Sequence, residues 1–415
     1  MATYKSLSSD NIKTTTSVLN QLVDFVEEDI ESTNTRKKYQ VFVTSSFGTT
    51  STNAVTSSLF QTIYDQNYTL QTANELFDMT VGLHEDSATV SDAQSGLSDP
   101  NDSLGKLLFP SQSLMMREKI NVYKQHAQLL LGDASAQFTS PFTQTSPVSE
   151  NNIDEALFIN FKRLFVRDGI KRETFAMKMY QSSSYGELTD GGSTTLIGTD
   201  SNLSISDWVV HPPSGSAIFT DVGSSTSIER SPTGGDVGNI VNASDTSKTV
   251  GLMFYQQGIA VFDMKKVFKA DQFISGSLSS VGEIPNTDIA GSLIPDLMVS
   301  GSIDDIVDHV ASTRFGNQSN TTITFQNNTK INSTLYFCRA NAEDFNYSTN
   351  PSYTDQQGKL VVISDEGQGV EKAFSFVTTV GLYDANEELL AVAKLSRPVE
   401  KNSEKDLTFR VRLDF

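Results

Sequence analysis

The chain has 415 residues, enough to bury a full core without disulfides and, at roughly 100 to 200 residues per domain, to form two or three domains. Hydrophobic residues make up only 37%, and Ser, Thr, Asn and Gly fill much of the rest, which is the composition of many short strands joined by polar turns. A formal charge of −19, from 31 basic and 50 acidic residues, repels a nucleic-acid backbone and excludes nucleic acid as the expected partner.

The opening MATYKSLSSDNIK has no apolar leader, and no window reaches the roughly 20 apolar residues needed to cross a bilayer, so membrane insertion is not expected. Cys338 is the single cysteine, so no intramolecular disulfide can form and folding in a reducing cytoplasm is the simplest reading. The N-x-S/T triplets at Asn67, Asn202, Asn242, Asn320, Asn332 and Asn346 then reflect composition.

In chain order, Ile12, Leu19, Leu22, Val23, Val26 and Ile30 fall at helical spacing, with Ser9 as a cap, and predict a helix from Ser9 to Ile30. KYQVFVTSSF from Lys38 to Phe47 alternates and predicts a strand, as does Thr69 to Leu83 more loosely. The polar stretch from Glu85 to Ser103 reads as a loop. Ser111 to Leu131 predicts a helix stopped at Gly132. Asp133 to Asn151, with Pro141 and Pro147, reads as a linker.

Ile153, Leu157, Phe161, Leu164 and Phe165 predict a second long helix, from Ile153 to Val166, feeding the strand TFAMKMY. Gln181 to Lys248 reads as short strands and turns, Val250 to Asp263 as a hairpin or long strand, and 265–300 as an excursion with little periodicity. Ser302 opens a short helix in which Ser302 and Asp305 resemble a capping box. The last hundred residues alternate as antiparallel strands, with DANEE as a hairpin turn.

The expected fold is therefore α+β and β-rich. Several short antiparallel strands form two or more sheets, with three to four helices and a C-terminal antiparallel β domain. Residues 1–132 form an N-terminal helix with strands and a helix, 133–150 a linker, 151–300 a central mixed region with long polar loops, and 301–415 the C-terminal β domain. TVGL recurs at Thr80, Thr249 and Thr379 with unequal separations, which is no regular repeat; each copy falls in a predicted strand, and three related strands in one sheet is one reading beside chance.

Chemical motifs are missing. His84, His126, His211 and His309 stand far apart with no HExxH, and His126 is expected on an exposed helix face. No G-x-S-x-G occurs, and GSLSS near Ser277 lacks the second glycine. GGDVGN at Gly234 has no GK[ST], and SDPNDS at Ser98 lacks the spacing of a calcium loop. No catalytic, cofactor-binding or metal residue is assigned, no cofactor is expected, and the chain is not expected to be an enzyme. The basic groups Arg36, Lys37, Lys38 and Lys162, Arg163, Arg167, Lys171, Arg172 read as solvated faces or salt bridges between subunits.

Long stretches resemble virion structural proteins of large contractile-tailed, myovirus-type phages, especially those of marine cyanobacteria. They include RKKYQVFVTSS, SSLFQTIYDQNYTLQTANELFDMTVGL, LFPSQSLMMREKINVYKQHAQLLLGD, EALFINFKRLFVRDGIKRETFAMKM, SPTGGDVGNIV, TVGLMFYQQGIAVFDM, INSTLYFCRANAEDFNYSTNPSY, FVTTVGLYDANEELLAVAKLSRPV and FRVRLDF. The polar insert 188–214 has no counterpart in that resemblance.

The resemblance implies a subunit of the tail, at the baseplate or its periphery, assembled in the host cytoplasm in several copies against other tail and baseplate proteins. A tail-fibre-connecting or glycan-binding receptor protein is the alternative, followed by a neck or collar component and, remotely, a tail-associated wall hydrolase. For any of the binding roles the aromatic segment supplies candidate interface residues, Tyr336, Phe337, Phe345, Tyr347 and Tyr353, joined by Phe409 and Phe415 of the closing strand; a domain core is the equal alternative.

Overall fold

A computed structural model describes residues 4–31, 33–43, 54–87, 90, 110–142, 151–162, 168–182, 188–190, 193–195, 214–226, 228–268, 273–274, 291–292, 298, 301–315, 321–348, 350–358, 363–365 and 371–414. It is β-rich with antiparallel sheets and few helices, as the composition predicts.

Two compact units form, one from Met1–Leu19 with Lys330–Phe415 and one from Asn20–Thr329. This is not the consecutive division the sequence suggests. The strands Ile12–Val26 and Thr321–Ala340 each run from one unit into the other, so a unit built from two distant segments replaces a purely C-terminal domain. No boundary falls at 133–150. In its described part Phe138 is fully buried, Ser140 Oγ donates to the Gly251 carbonyl at 3.2 Å, and the Phe142 amide donates to Asn239 Oδ1 at 2.9 Å. Two phenylalanines outweigh the polar residues around them, and residues 138–142 of the expected linker pack into the core.

Within Asn20–Thr329 one antiparallel path runs through Ala176–Ser182, Ser214–Thr220, Gly235–Asn242, Asp245–Phe254, Ile259–Asp263, Glu155–Phe161, Glu75–Leu83, Ala54–Tyr64 and Arg36–Val43. Glu155–Phe161 lies in the middle, with Phe158 opposite both Val261 and Thr80. Every residue of that strand but Asn160 is buried. This corrects the predicted helix Ile153 to Val166, because a strand covered on both faces reads as a nearly continuous apolar run that satisfies helical spacing by accident.

The expected N-terminal helix is also corrected: Ile12–Val26 is a strand, flanked by a 3-10 turn at Ser9–Asn11 and a short α-helix at Glu27–Glu31. Thr14, Thr15, Thr16 and Val18 are β-branched and stiff at χ1, which disfavours a helix and suits a strand. The apolar residues counted as one stripe separate, with Ile12, Leu19 and Leu22 exposed and Ile30 buried. The helices Pro110–Leu130 and Ile303–Arg314 form where their spacing predicts and both pack on Glu75–Leu83 and Ala54–Tyr64.

Aromatic rings fill the core of this unit. Phe25 stacks on Phe161 at 6.1 Å and meets Phe77 edge-on at 5.5 Å, while Phe161 and Phe325 are 4.9 Å apart. Burying each phenylalanine contributes roughly 1.5 to 3 kcal/mol. The Tyr123 hydroxyl is buried with them, donating to the Ile153 carbonyl at 2.7 Å and accepting the Phe138 amide at 2.9 Å, so its polar end is satisfied. Burial raises its pKa.

In the other unit, Leu407–Asp414 pairs with Ser333 through Ala340 and so completes this chain's own sheet, Tyr336 opposite Val411 and Cys338 opposite Phe409. A separate ribbon joins Ile363–Asp365, Glu371–Tyr383 and Leu389–Asn402. Its predicted turn forms: Asp384 Oδ1 accepts the amides of Asn386 at 2.9 Å and Glu388 at 2.8 Å. All three TVGL segments lie in strands, but Thr379–Leu382 belongs to this ribbon and not to the sheet that holds the other two.

Candidate interaction surface

The aromatic segment after Ala340 folds as a tight loop on the ribbon. Asp344 turns it, its carboxylate accepting the Asn341 amide at 3.0 Å, and Phe345 adopts a φ of 55°, a left-handed conformation uncommon for a bulky residue. Lys401 lies beneath with no exposed surface. Its ammonium donates to Asn346 Oδ1 at 2.7 Å, Asn402 O at 2.8 Å and Ala342 O at 3.0 Å, which uses all three protons on neutral acceptors. Burial pulls its pKa below the usual lysine value.

Tyr353 closes the loop. It is buried, and its hydroxyl reaches the carbonyls of Asn346 and Phe374. Ser375 Oγ donates to the Phe345 carbonyl at 2.6 Å, so loop and ribbon are tied from both sides. Residues near the start of the chain add two further ties, Lys5 to Asp344 and the Tyr4 hydroxyl to Glu387 at 2.7 Å.

Of the candidate interface residues, Phe345 and Tyr347 are exposed, Tyr336, Phe337 and Phe409 are half-buried in the paired strands, and Tyr353 is an internal anchor. Phe415 lies outside the described residues, as does most of the insert 188–214, in which Leu188–Asp190 pairs with Ser193–Thr195.

The sequence reading missed the larger apolar display. Phe376, Tyr383, Leu389, Leu390 and Val392 on the ribbon are each more than half exposed. Phe376 meets Phe374 edge-on at 5.7 Å. Gly381 and Val392 are paired, as are Tyr383 and Leu389, and the Tyr383 ring lies where a side chain on Gly381 would stand. A signal was available: LLAVA at Leu389 carries apolar residues at both parities, so both ribbon faces are apolar although only one can face a core.

The unit Asn20–Thr329 carries a polar cleft of about 470 Å³ lined by Asn151, Asn242, Ser247, Lys248, Thr249, Val250 and Lys266. Both ammoniums have carboxylate partners, Lys248 with Asp245 at 3.3 Å and Lys266 with Asp263 at 3.7 Å. Burial pushes Asp263 up to about 6, against the pull of Lys266. Among the described residues no group of three His, Cys, Asp or Glu side chains is placed to hold a metal ion.

Histidines do not cluster in the described part. His84 is buried edge-on to Tyr123 at 5.2 Å. His126, expected on an exposed face, is half-buried and stacks on Phe158 at 3.9 Å, and burial lowers its pKa. His211 and the His309 side chain lie outside the described residues.

Compared with known proteins, the chain matches no family model, no curated protein and no solved structure.

Proposed function

We propose that this chain is a structural subunit of a phage contractile tail, at the baseplate or its periphery, and that it works by permanent contacts with other tail proteins instead of by turning over a substrate. The observation that carries this reading is the ribbon of Glu371–Tyr383 and Leu389–Asn402, which holds Phe376, Tyr383, Leu389, Leu390 and Val392 in water. Large apolar side chains held in water on both faces of a hydrogen-bonded ribbon are costly to a solitary protein and are the usual material of an interface core. The resemblance to virion structural proteins supplies the kind of assembly.

Deleting the gene and imaging the particles tests it. Particles without an intact tail or baseplate are expected, and normal infectious tails would reject it. The polar cleft favours a second reading, host-glycan binding, because its amides and hydroxyls suit a polyhydroxylated ligand. Retention of the isolated protein on a host-surface glycan, together with intact tails in the deletion, would favour that reading over the first.

A further inference from the structure

The strand Ile12–Val26 stands at the end of its sheet's strand order, with Thr321–Ala340 as its neighbour. From Ile12 to Leu22 every residue is exposed. A strand that only completes its own sheet alternates between buried and exposed residues, so this one is open on both faces as well as along its edge. It is 15 residues long, and it carries Ile12, Val18, Leu19 and Leu22 in water. Natural edges are usually blunted by charge, proline or a bulge. Here Lys13 is the sole charged residue between Asp10 and Asp24, and proline is absent.

We propose that this edge pairs with the same strand of a second copy, antiparallel about a two-fold axis at Ser17. Two observations choose a second copy over another partner. First, a chain of net charge −19 repels itself, and this exposed edge has no carboxylate from Asn11 to Val23, so two copies meet there with little local repulsion. Second, the exposed stretch matches its own reverse. Centring on Ser17 places Ile12 opposite Leu22 at both ends, Val18 opposite Thr16 and Lys13 opposite Gln21, whereas centring on Val18 sets Ile12 against Asp24. The ladder spans roughly 35 Å at about 3.4 Å per residue. The inference goes beyond the tail reading and stands without it.

The experiment uses the full chain with Cys338→Ser. In that background Ser17→Cys brings two sulfurs within disulfide reach across the axis, since directly opposed residues have Cα atoms about 4.5 to 5.5 Å apart. Thr72→Cys, exposed in a turn, is the comparison. Under mild oxidation Ser17→Cys is expected to give a covalent dimer at least tenfold faster than Thr72→Cys. Sedimentation of the wild type is expected to show a dimer that grows with concentration, lost in Val18→Asp with Leu22→Asp while the unfolding midpoint holds. A wild type that stays monomeric, a dimer that survives the double substitution, or equal cross-linking rates would overturn the proposal; pairing with a different protein alone would appear as the first of these.

Discussion

The Lys401 ammonium and the Asn346 side-chain carbonyl stand 2.7 Å apart, and this bond holds the aromatic loop on the ribbon. Lys401→Met keeps the stem but strands three half-buried acceptors, where a fully buried unmet acceptor costs about 1 to 3 kcal/mol, and the loss is offset in part because no charge then has to be desolvated. A net loss of about 1 to 3 kcal/mol is expected in denaturant unfolding. An unchanged midpoint would show that water meets these acceptors as well as Lys401 does.

Tyr353 and Phe345 should separate in the same loop. Tyr353→Phe removes the hydroxyl that reaches two carbonyls and should cost on the order of 1 kcal/mol in stability. Phe345→Ser removes an exposed ring and should leave the unfolding midpoint nearly unmoved; under the proposed tail role it should also weaken incorporation into particles, read by the copy number of the variant in purified virions. The reverse ranking would make Phe345 the anchor and Tyr353 the contact.

Asp263 predicts a pH dependence. Its folded pKa, about 6, lies above its ordinary 3.8, so the folded chain binds this proton before the unfolded chain does. The contribution to stability is fully present below 3.8 and is lost as pH rises through about 6. Asp263→Asn keeps the cap on the Lys265 amide, now 3.0 Å from Asp263 Oδ1, and removes the titration. Relative to wild type it should gain on the order of 3 kcal/mol at pH 7 and nothing at pH 4, since about two pKa units are worth about 1.4 kcal/mol each. Parallel stability curves for the two proteins across that range would contradict the assignment.

Gly82 tests the packing between helix and sheet. A methyl there would stand 2.8 Å from Phe158 Cε2 and 3.1 Å from Tyr123 Cα, so Gly82→Ala should destabilise by about 1 to 3 kcal/mol through overpacking. Gly223, with φ of 87° and nothing within 4 Å, serves as comparison: Gly223→Ala meets backbone strain alone.

What could be read before folding depended on whether local pattern and burial agree. The helix Pro110–Leu130 and the hairpin of Asp245–Phe254 with Ile259–Asp263 announce themselves because one face or a short turn dominates. Glu155–Phe161 misleads because burial on both faces erases the period of two, and Ile12–Val26 because Ile12, Val18, Leu19 and Leu22 lie in water and only its far end, at Phe25, enters the core. Of the interaction surface, Phe345 and Tyr347 were legible as aromatics in a polar loop. Tyr353 was not separable from them, since its burial depends on Phe374 more than twenty positions later, and the ribbon looked like core because strand propensity is silent about what covers a strand.

Met1–Leu19 and Lys330–Phe415 share one unit, with Asn20–Thr329 made between them. During synthesis the early strand therefore waits for its neighbour Thr321–Ala340 until about three hundred further residues have been added. Domains tend to fold as they emerge, and here the later-numbered unit has no such head start, so its apolar ribbon is presented only by molecules that have been translated through it. A ribosome that stalls midway releases a product bearing neither that ribbon nor the neighbour of the early strand.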